Sequence, residues 1–269
     1  VTQAPTAAPS RTGATSPVLL GVVGLAGFAA LFEVLPRIGV LKAEYFPPTS
    51  RIAVAIVAQG GRLDFWIALK DTLITWALGL VISVVAGVVV GVVIGSVPFL
   101  RAATASTIEF LRPIPSVALI PLAVVLLGTG RPSTLLLVVY ASFWQVLVQV
   151  LYGVADIDPV ASETARSYRL GRLDRVRYLV WPTTLPYAMT GVRLAASVAL
   201  ILTITGELVI GTPGLGKEIS NAYTSGAVPA MYAIVVVTGL IGVVANTVTR
   251  TAERVVLAWH PSVRKEVPV

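Results

Sequence analysis

Long stretches of this chain carry no Asp, Glu, Lys or Arg, among them residues 72–100, 113–130, 132–155, 194–206 and 219–249. A helix crosses the hydrocarbon core of a bilayer in about 20 residues. Three of the stretches exceed that length. In lipid a helix satisfies its own backbone hydrogen bonds, whereas an open sheet leaves an edge unpaired. The expected fold class is therefore all-α, a polytopic membrane protein. Only 12% of the 269 residues are charged, against about 25% in an ordinary soluble domain.

The net charge is +7. In a membrane protein this excess reads as Lys and Arg gathered in cytoplasmic loops and not as nucleic-acid binding. There is no cysteine and a single histidine, His260. Disulfide, thiolate and clustered-histidine metal chemistry are thereby excluded, and His260 reads as a solvated or headgroup-level residue.

Hydropathy and turn residues predict six spans. The first is 17–35, ended by Pro36, Arg37 and Gly39. It reads as a retained span because no small-residue cleavage pattern closes it. Pro47-Pro48-Thr49-Ser50 reads as a helix start capped by Thr49 or Ser50, leading into a short surface helix over 51–58. The second span covers 73–97. Its Gly79, Gly87, Gly91 and Gly95 are spaced for close helix approach. Residues 101–112 read as a polar connection. The third span, 114–127, is interrupted by Pro115 and Pro121. The fourth covers 133–153, the fifth 187–207 and the sixth 230–248. The domain reading is a disordered cytoplasmic tail at 1–16, a membrane domain at 17–249 and a cytoplasmic tail at 250–269. With the N-terminus inside, twelve Arg and Lys fall in inside segments and seven in outside ones. Both termini are expected in the cytoplasm.

Catalytic residues are not expected. No pair of carboxylates lies within a span, as an ion-coupled carrier acting alone would require. Glu207, near one end of the fifth span, reads as a pathway residue or as an interfacial partner of Lys217 or Arg131. Trp144, Gln145 and Gln149 of the fourth span are further pathway candidates, with helix packing as the alternative. Gly211-Thr212-Pro213-Gly214-Leu215-Gly216-Lys217 matches the spacing of a phosphate loop, but Glu218 stands where Ser or Thr should hold magnesium. It reads as a tight turn leading into a short helix.

The polar loop 156–186 is the longest between apolar spans. Asp158 and Pro159 suit a helix start, predicting one short helix to residue 168 and a second over 172–180. Pro182 and Pro186 are expected to break the chain beyond that second helix. Within this loop stand Glu163-Thr164-Ala165, then Arg166-Ser167-Tyr168, then Arg169, and nine residues later Leu179-Val180-Trp181-Pro182. This resembles the coupling loop of binding-protein-dependent permeases, which reads E-A-A, three residues, G, nine residues, I-x-L-P. Arg169 departs from the pattern, standing where the family has glycine. Two readings stay open: Gly171, two residues on, takes over the bend, or Arg169 contacts the partner directly. The run from Leu111-Arg112-Pro113 to Pro121-Leu122, with Gly128, Pro47-Pro48-Thr49 and Gly214-Leu215-Gly216, resembles the nitrate/sulfonate/taurine-type subgroup. The resemblance covers residues 46–254.

The resemblance implies a type I importer fold with two permease chains, identical or paralogous. It implies two ATPase subunits that hold ATP and magnesium, and an extracytoplasmic substrate-binding protein. The chain itself would bind no cofactor and would sit in the bacterial plasma membrane. Glu163, Thr164, Ala165, Arg166, Ser167, Tyr168, Arg169, Gly171 and Pro182 would form the ATPase-coupling loop. The cargo would be a small sulfonate, nitrate or taurine-like anion, or a vitamin precursor. A non-transporting membrane scaffold and a lone ion-coupled or facilitative carrier are the competing classes.

Overall fold

The computed structural model describes residues 17–259, with side chains from residue 19. The tail at 1–16, His260 and the remainder of the C-terminal segment lie outside the described residues. Among the described residues every regular element is helical: α1 Pro17–Arg37, α2 Thr49–Gly60, α3 Leu63–Ser96, α4 Pro98–Leu111, α5 Ile120–Leu127, α6 Arg131–Ala155, α7 Pro159–Ser167, α8 Arg172–Arg175, α9 Trp181–Ile210, α10 Leu215–Thr224 and α11 Val228–Val256. A 3₁₀ turn, Ser116–Leu119, leads into α5, and a π turn, Val176–Val180, joins α8 to α9.

The glycines of α3 do what their spacing requires. A Cβ on Gly87 would lie 2.7 Å from Val146 Cβ, one on Gly91 2.6 Å from Val150 Cγ1, and one on Gly95 2.9 Å from Val154 Cβ; Gly79 meets Val138 in the same way. Each valine inserts into a slot that only glycine leaves open. Lipid tails are as apolar as these side chains, so association within a bilayer rests on this close packing. Both residue numbers rise together along the seam, so α3 and α6 run parallel.

That parallel pairing decides the span count. Parallel neighbours need the intervening chain to return across the same depth. From residue 72 to residue 95, α3 rises about 35 Å, enough to cross a hydrocarbon core of about 30 Å. The return is made by residues 98–127. These are not the polar connection and single short span expected: α4 and the 3₁₀–α5 segment form one broken crossing bent by 83°. Arg112, Pro113 and Pro115 mark the break. Five continuous helices, with this bent pair as the sixth, are long and apolar enough to span.

Helix α9 runs antiparallel to α6. Gly153 lies against Thr184, Gly191 against Val146 and Gly206 against Thr134. Helix α11 returns antiparallel to α9, with Arg193 Nη1 donating to Glu253 Oε2 at 3.3 Å. It runs to Val256, so Arg250 to Arg254 are helical. The loop 156–186 and the C-terminal ends of α3 and α11 thus share one side of the bundle. The ends of α9, α10 and α2 share the other.

Thr49 and Ser50 open α2 but do not cap it. Thr49 Oγ1 donates to the Ala29 carbonyl at 2.9 Å, and Ser50 Oγ donates to Glu33 Oε1 at 2.9 Å while its N–H donates to Oε2 at 2.8 Å. The hydroxyls instead fasten α2 to α1.

Candidate functional site: the polar loop and the buried Glu207 cluster

Asp158 caps α7, its Oδ1 accepting from Val160 N at 2.7 Å, and Pro159 occupies the first turn. The helix ends in a Schellman motif. The Leu170 N–H donates to the Ala165 carbonyl at 3.0 Å and the Arg169 N–H to the Arg166 carbonyl at 2.9 Å, which satisfies two carbonyls left free at the helix end. That motif needs a left-handed residue, and Arg169 supplies it with φ 53°, the one non-glycine among the described residues with positive φ. Gly171 does not take over the bend: it is extended, φ −61° and ψ 165°, and precedes α8. The hinge therefore stays where the loop pattern puts its glycine, and the arginine bears the cost. A left-handed L-residue costs about 1–2 kcal/mol. Arg169→Gly is accordingly expected to stabilise the loop by about 1 kcal/mol, read as slower amide exchange at Tyr168 to Leu170.

Glu163, Thr164, Arg166, Ser167 and Tyr168 are exposed. Ala165 is not: it is 5% exposed, turned inward at the position that carries the Schellman hydrogen bond. It braces the loop and is not available to a partner. Val160, Tyr168 and Leu173 stand out at 69%, 79% and 85% exposure. Sequence reasoning missed Val160 and Leu173, because an isolated apolar residue in a polar loop carries no periodic signal. Arg175 Nη2 donates to Ser162 Oγ at 3.3 Å, and Tyr187 OH donates to Asp156 Oδ2 at 2.7 Å. Two short helices are thus tied back to the bundle as a firm protrusion.

Pro182 and Pro186 do not break the chain. Pro182 falls in the first turn of α9, directly after the wider π turn, and Pro186 is carried inside the helix. The buried face Val180, Thr184 and Ala188 holds the segment against its neighbours. Packing outweighs the single backbone hydrogen bond that each proline removes.

At the opposite end, Glu207 is fully buried. It pairs with neither Lys217 nor Arg131; Arg131 binds Asp71 at 2.6 Å. Glu207 Oε2 accepts from Thr72 Oγ1 at 2.9 Å and from the Gly216 N–H at 3.0 Å, while Thr72 Oγ1 accepts from the Leu215 N–H at 2.8 Å. The phosphate-loop-like segment is thereby explained. Its amides open α10 toward an acceptor, as helix N-termini do, and that acceptor is the chain's own Glu207 carboxyl group. Gly214, at φ 153°, lets the backbone pass against that carboxyl group, with no room for a side chain. Thr134 and Thr212 hydroxyls pair beside it at 3.1 Å. Glu207 thus holds α10 within the subunit and does not face an open pathway. Glu207→Ala leaves the Gly216 N–H buried without a partner. It is expected to cost about 2 kcal/mol, seen as a lower melting temperature in detergent, with Glu207→Gln intermediate.

Trp144 is likewise interior, 8% exposed, with its ring edge-on to Tyr140 and Phe143. Gln145 and Gln149 are half-buried on α6, where a Cβ on Gly191 would lie 3.3 Å from the Gln145 carbonyl and 3.1 Å from Gln149 Cβ.

The described residues thus form a bundle of helices long and apolar enough to cross a membrane, with a firm polar loop on one face. The chain belongs to the family described as the binding-protein-dependent transport system inner membrane component, whose model matches residues 79–257. The taurine transport system permease protein TauC of Escherichia coli (strain K12) is 27% identical over 92% of both chains. The nitrate import permease protein NrtB of Leptolyngbya laminosa is 26% identical over 51% of this chain and 50% of its own length. Among solved structures, an inward-facing MetNI methionine ABC transporter matches with a TM-score of 0.60 at 19% identity, covering 70% of this chain and 93% of that one.

Proposed function

We propose that this multi-pass permease subunit works in the plasma membrane of a bacterium, with both termini in the cytoplasm, and imports a small anion of the sulfonate, taurine or nitrate class or a vitamin precursor. Two copies, or this chain and a paralogue, enclose the pathway. Two ATPase subunits bind and hydrolyse ATP with magnesium, and an extracytoplasmic binding protein delivers the cargo. The observation that carries this reading is the loop itself. Glu163, Thr164, Arg166, Ser167 and Tyr168 form an exposed face on a braced helix–hinge–helix, which suits a rigid contact with a moving soluble partner. Rigid-body rocking of packed helices is an established route to alternating access. Gln145 and Gln149, half-buried and polar at mid-span, are the pathway candidates that the geometry leaves open.

The taurine and nitrate relatives favour a cargo that carries a small anionic oxygen-bearing group. An ion-coupled carrier is disfavoured because Glu207, the fully buried carboxylate of the bundle, is engaged by Thr72 and Gly216. Purification of the tagged chain from its own host tests the assignment. An ATPase and a binding protein are expected to co-purify, and that binding protein is expected to bind taurine, an alkanesulfonate or nitrate. Uptake by the chain reconstituted alone, without ATP, would overturn the proposal.

A further inference from the structure

A cavity of about 660 Å³ lies between the C-terminal end of α3, the start of α4 and the loop. That is within the roughly 300–1,000 Å³ of a ligand site. Its lining has two chemistries. Val92, Val93, Val97, Val154 and Val180 make an apolar wall, and Arg172 and Arg175 stand at the polar mouth. No carboxylate lines it. Nearby acids are engaged elsewhere or point away: Asp156 accepts from Tyr187, Asp158 caps α7, and Asp174 turns toward Gly171. Arg175 donates once, to Ser162. A guanidinium offers five N–H donors, so most of the pair's capacity is unspent.

We propose that this cavity holds an anionic glycerophospholipid, its phosphate between Arg172 and Arg175 and an acyl chain against α3. The apolar wall is what selects a lipid over a free phosphate. Val93 and Val97 of that wall, with Val89 one turn back along α3, are 51%, 40% and 56% exposed. A water-soluble phosphate would gain nothing from that surface. An acyl chain would bury it, and the guanidiniums lie at the helix end, where headgroups sit. Arg172 and Arg175 follow the hinge at Arg169 directly, so a bound lipid would brace the second half of the loop against α3. This site is separate from the exposed face proposed to meet the ATPase.

Native mass spectrometry of the purified full chain, after exchange from phosphatidylcholine into mixed phosphatidylcholine–phosphatidylglycerol nanodiscs, tests it. The chain is expected to retain phosphatidylglycerol. Each basic residue near a surface contributes about a factor of five in lipid affinity, so Arg172→Gln with Arg175→Gln should lower retention about 30-fold. Arg177→Gln, a side chain stacked over Tyr178 and not lining the cavity, removes one charge nearby and should lower retention no more than about fivefold. Equal retention in the double variant, equal loss in Arg177→Gln, or displacement by millimolar inorganic phosphate would each overturn the assignment. The last outcome would assign the site to a free anion. Neither ATPase binding nor uptake enters the readout, so failure here is distinguishable from failure of the proposed transport role.

Discussion

Glu163→Lys combined with Tyr168→Asp is expected to abolish substrate uptake while membrane insertion and thermal stability stay at the wild-type level. Both side chains are exposed on α7 and its end, and neither holds the loop together. Its bracing comes from the Asp158 cap, the Ala165 and Arg166 carbonyls and the Arg175–Ser162 bond. The pair of substitutions thus reverses a charge and removes an aromatic anchor at a surface without touching the scaffold. Aromatic anchors at the centre of an interface typically contribute about 2 kcal/mol or more. Losing one together with a charge reversal should weaken ATPase docking by about a hundredfold. The measurement is transport in proteoliposomes beside ATPase co-purification. Normal uptake by the double variant would remove the loop from the coupling role. Ala165 makes the contrasting case. Because it is buried, Ala165→Asp should unfold the α7–α8 hinge and lower stability. Loss of uptake in that variant would say nothing about docking.

Gly91→Val is expected to cost about 3 kcal/mol and to reduce the folded fraction recovered in detergent. A Cβ at Gly91 would meet Val150 at 2.6 Å and 2.8 Å, distances that side-chain carbons do not tolerate. Adding Val150→Gly removes both the Cγ1 and the Cβ that the new side chain would meet, and should recover at least half of the loss as a coupling term. The double-mutant cycle therefore reports the packing term directly. Two independent sites would show no such rescue, and additivity would mean that α3 and α6 do not meet in this register. Added bulk on the outer side of α3, as in Val89→Phe, should be nearly neutral, since that side chain is exposed.

The loop, the membrane class and most helix boundaries were legible in the sequence because each rests on local chemistry. A charge-free run of 20 or more residues has few places to go besides a bilayer. A glycine every fourth residue invites a close neighbour. An Asp-Pro pair after a span starts a helix wherever it stands. Local rules also misled in definable ways. Pro182 and Pro186 signal a break in water, yet the buried faces around Thr184 and Ala188 keep α9 continuous. Residues 101–112 look polar, yet they form most of α4, one arm of the bent crossing.

Composition and spacing were therefore enough to make this chain a many-span helical membrane protein with a long polar loop at 156–186; the permease reading came from the loop's resemblance to a family pattern. The free energy of moving residues between water and lipid depends on composition over short windows, and such windows can be read along the chain. Which residues meet was settled only in three dimensions. Folding paired Thr72 with Glu207, 135 positions apart, and so turned a candidate pathway carboxylate into the latch of α10. It set α3 parallel to α6, which makes the bent α4–α5 pair a true crossing. It put Ala165 inside the loop and left Arg169, not Gly171, in the left-handed turn. Those outcomes depend on side-chain shapes brought together from distant parts of the chain, and no local window contains both partners.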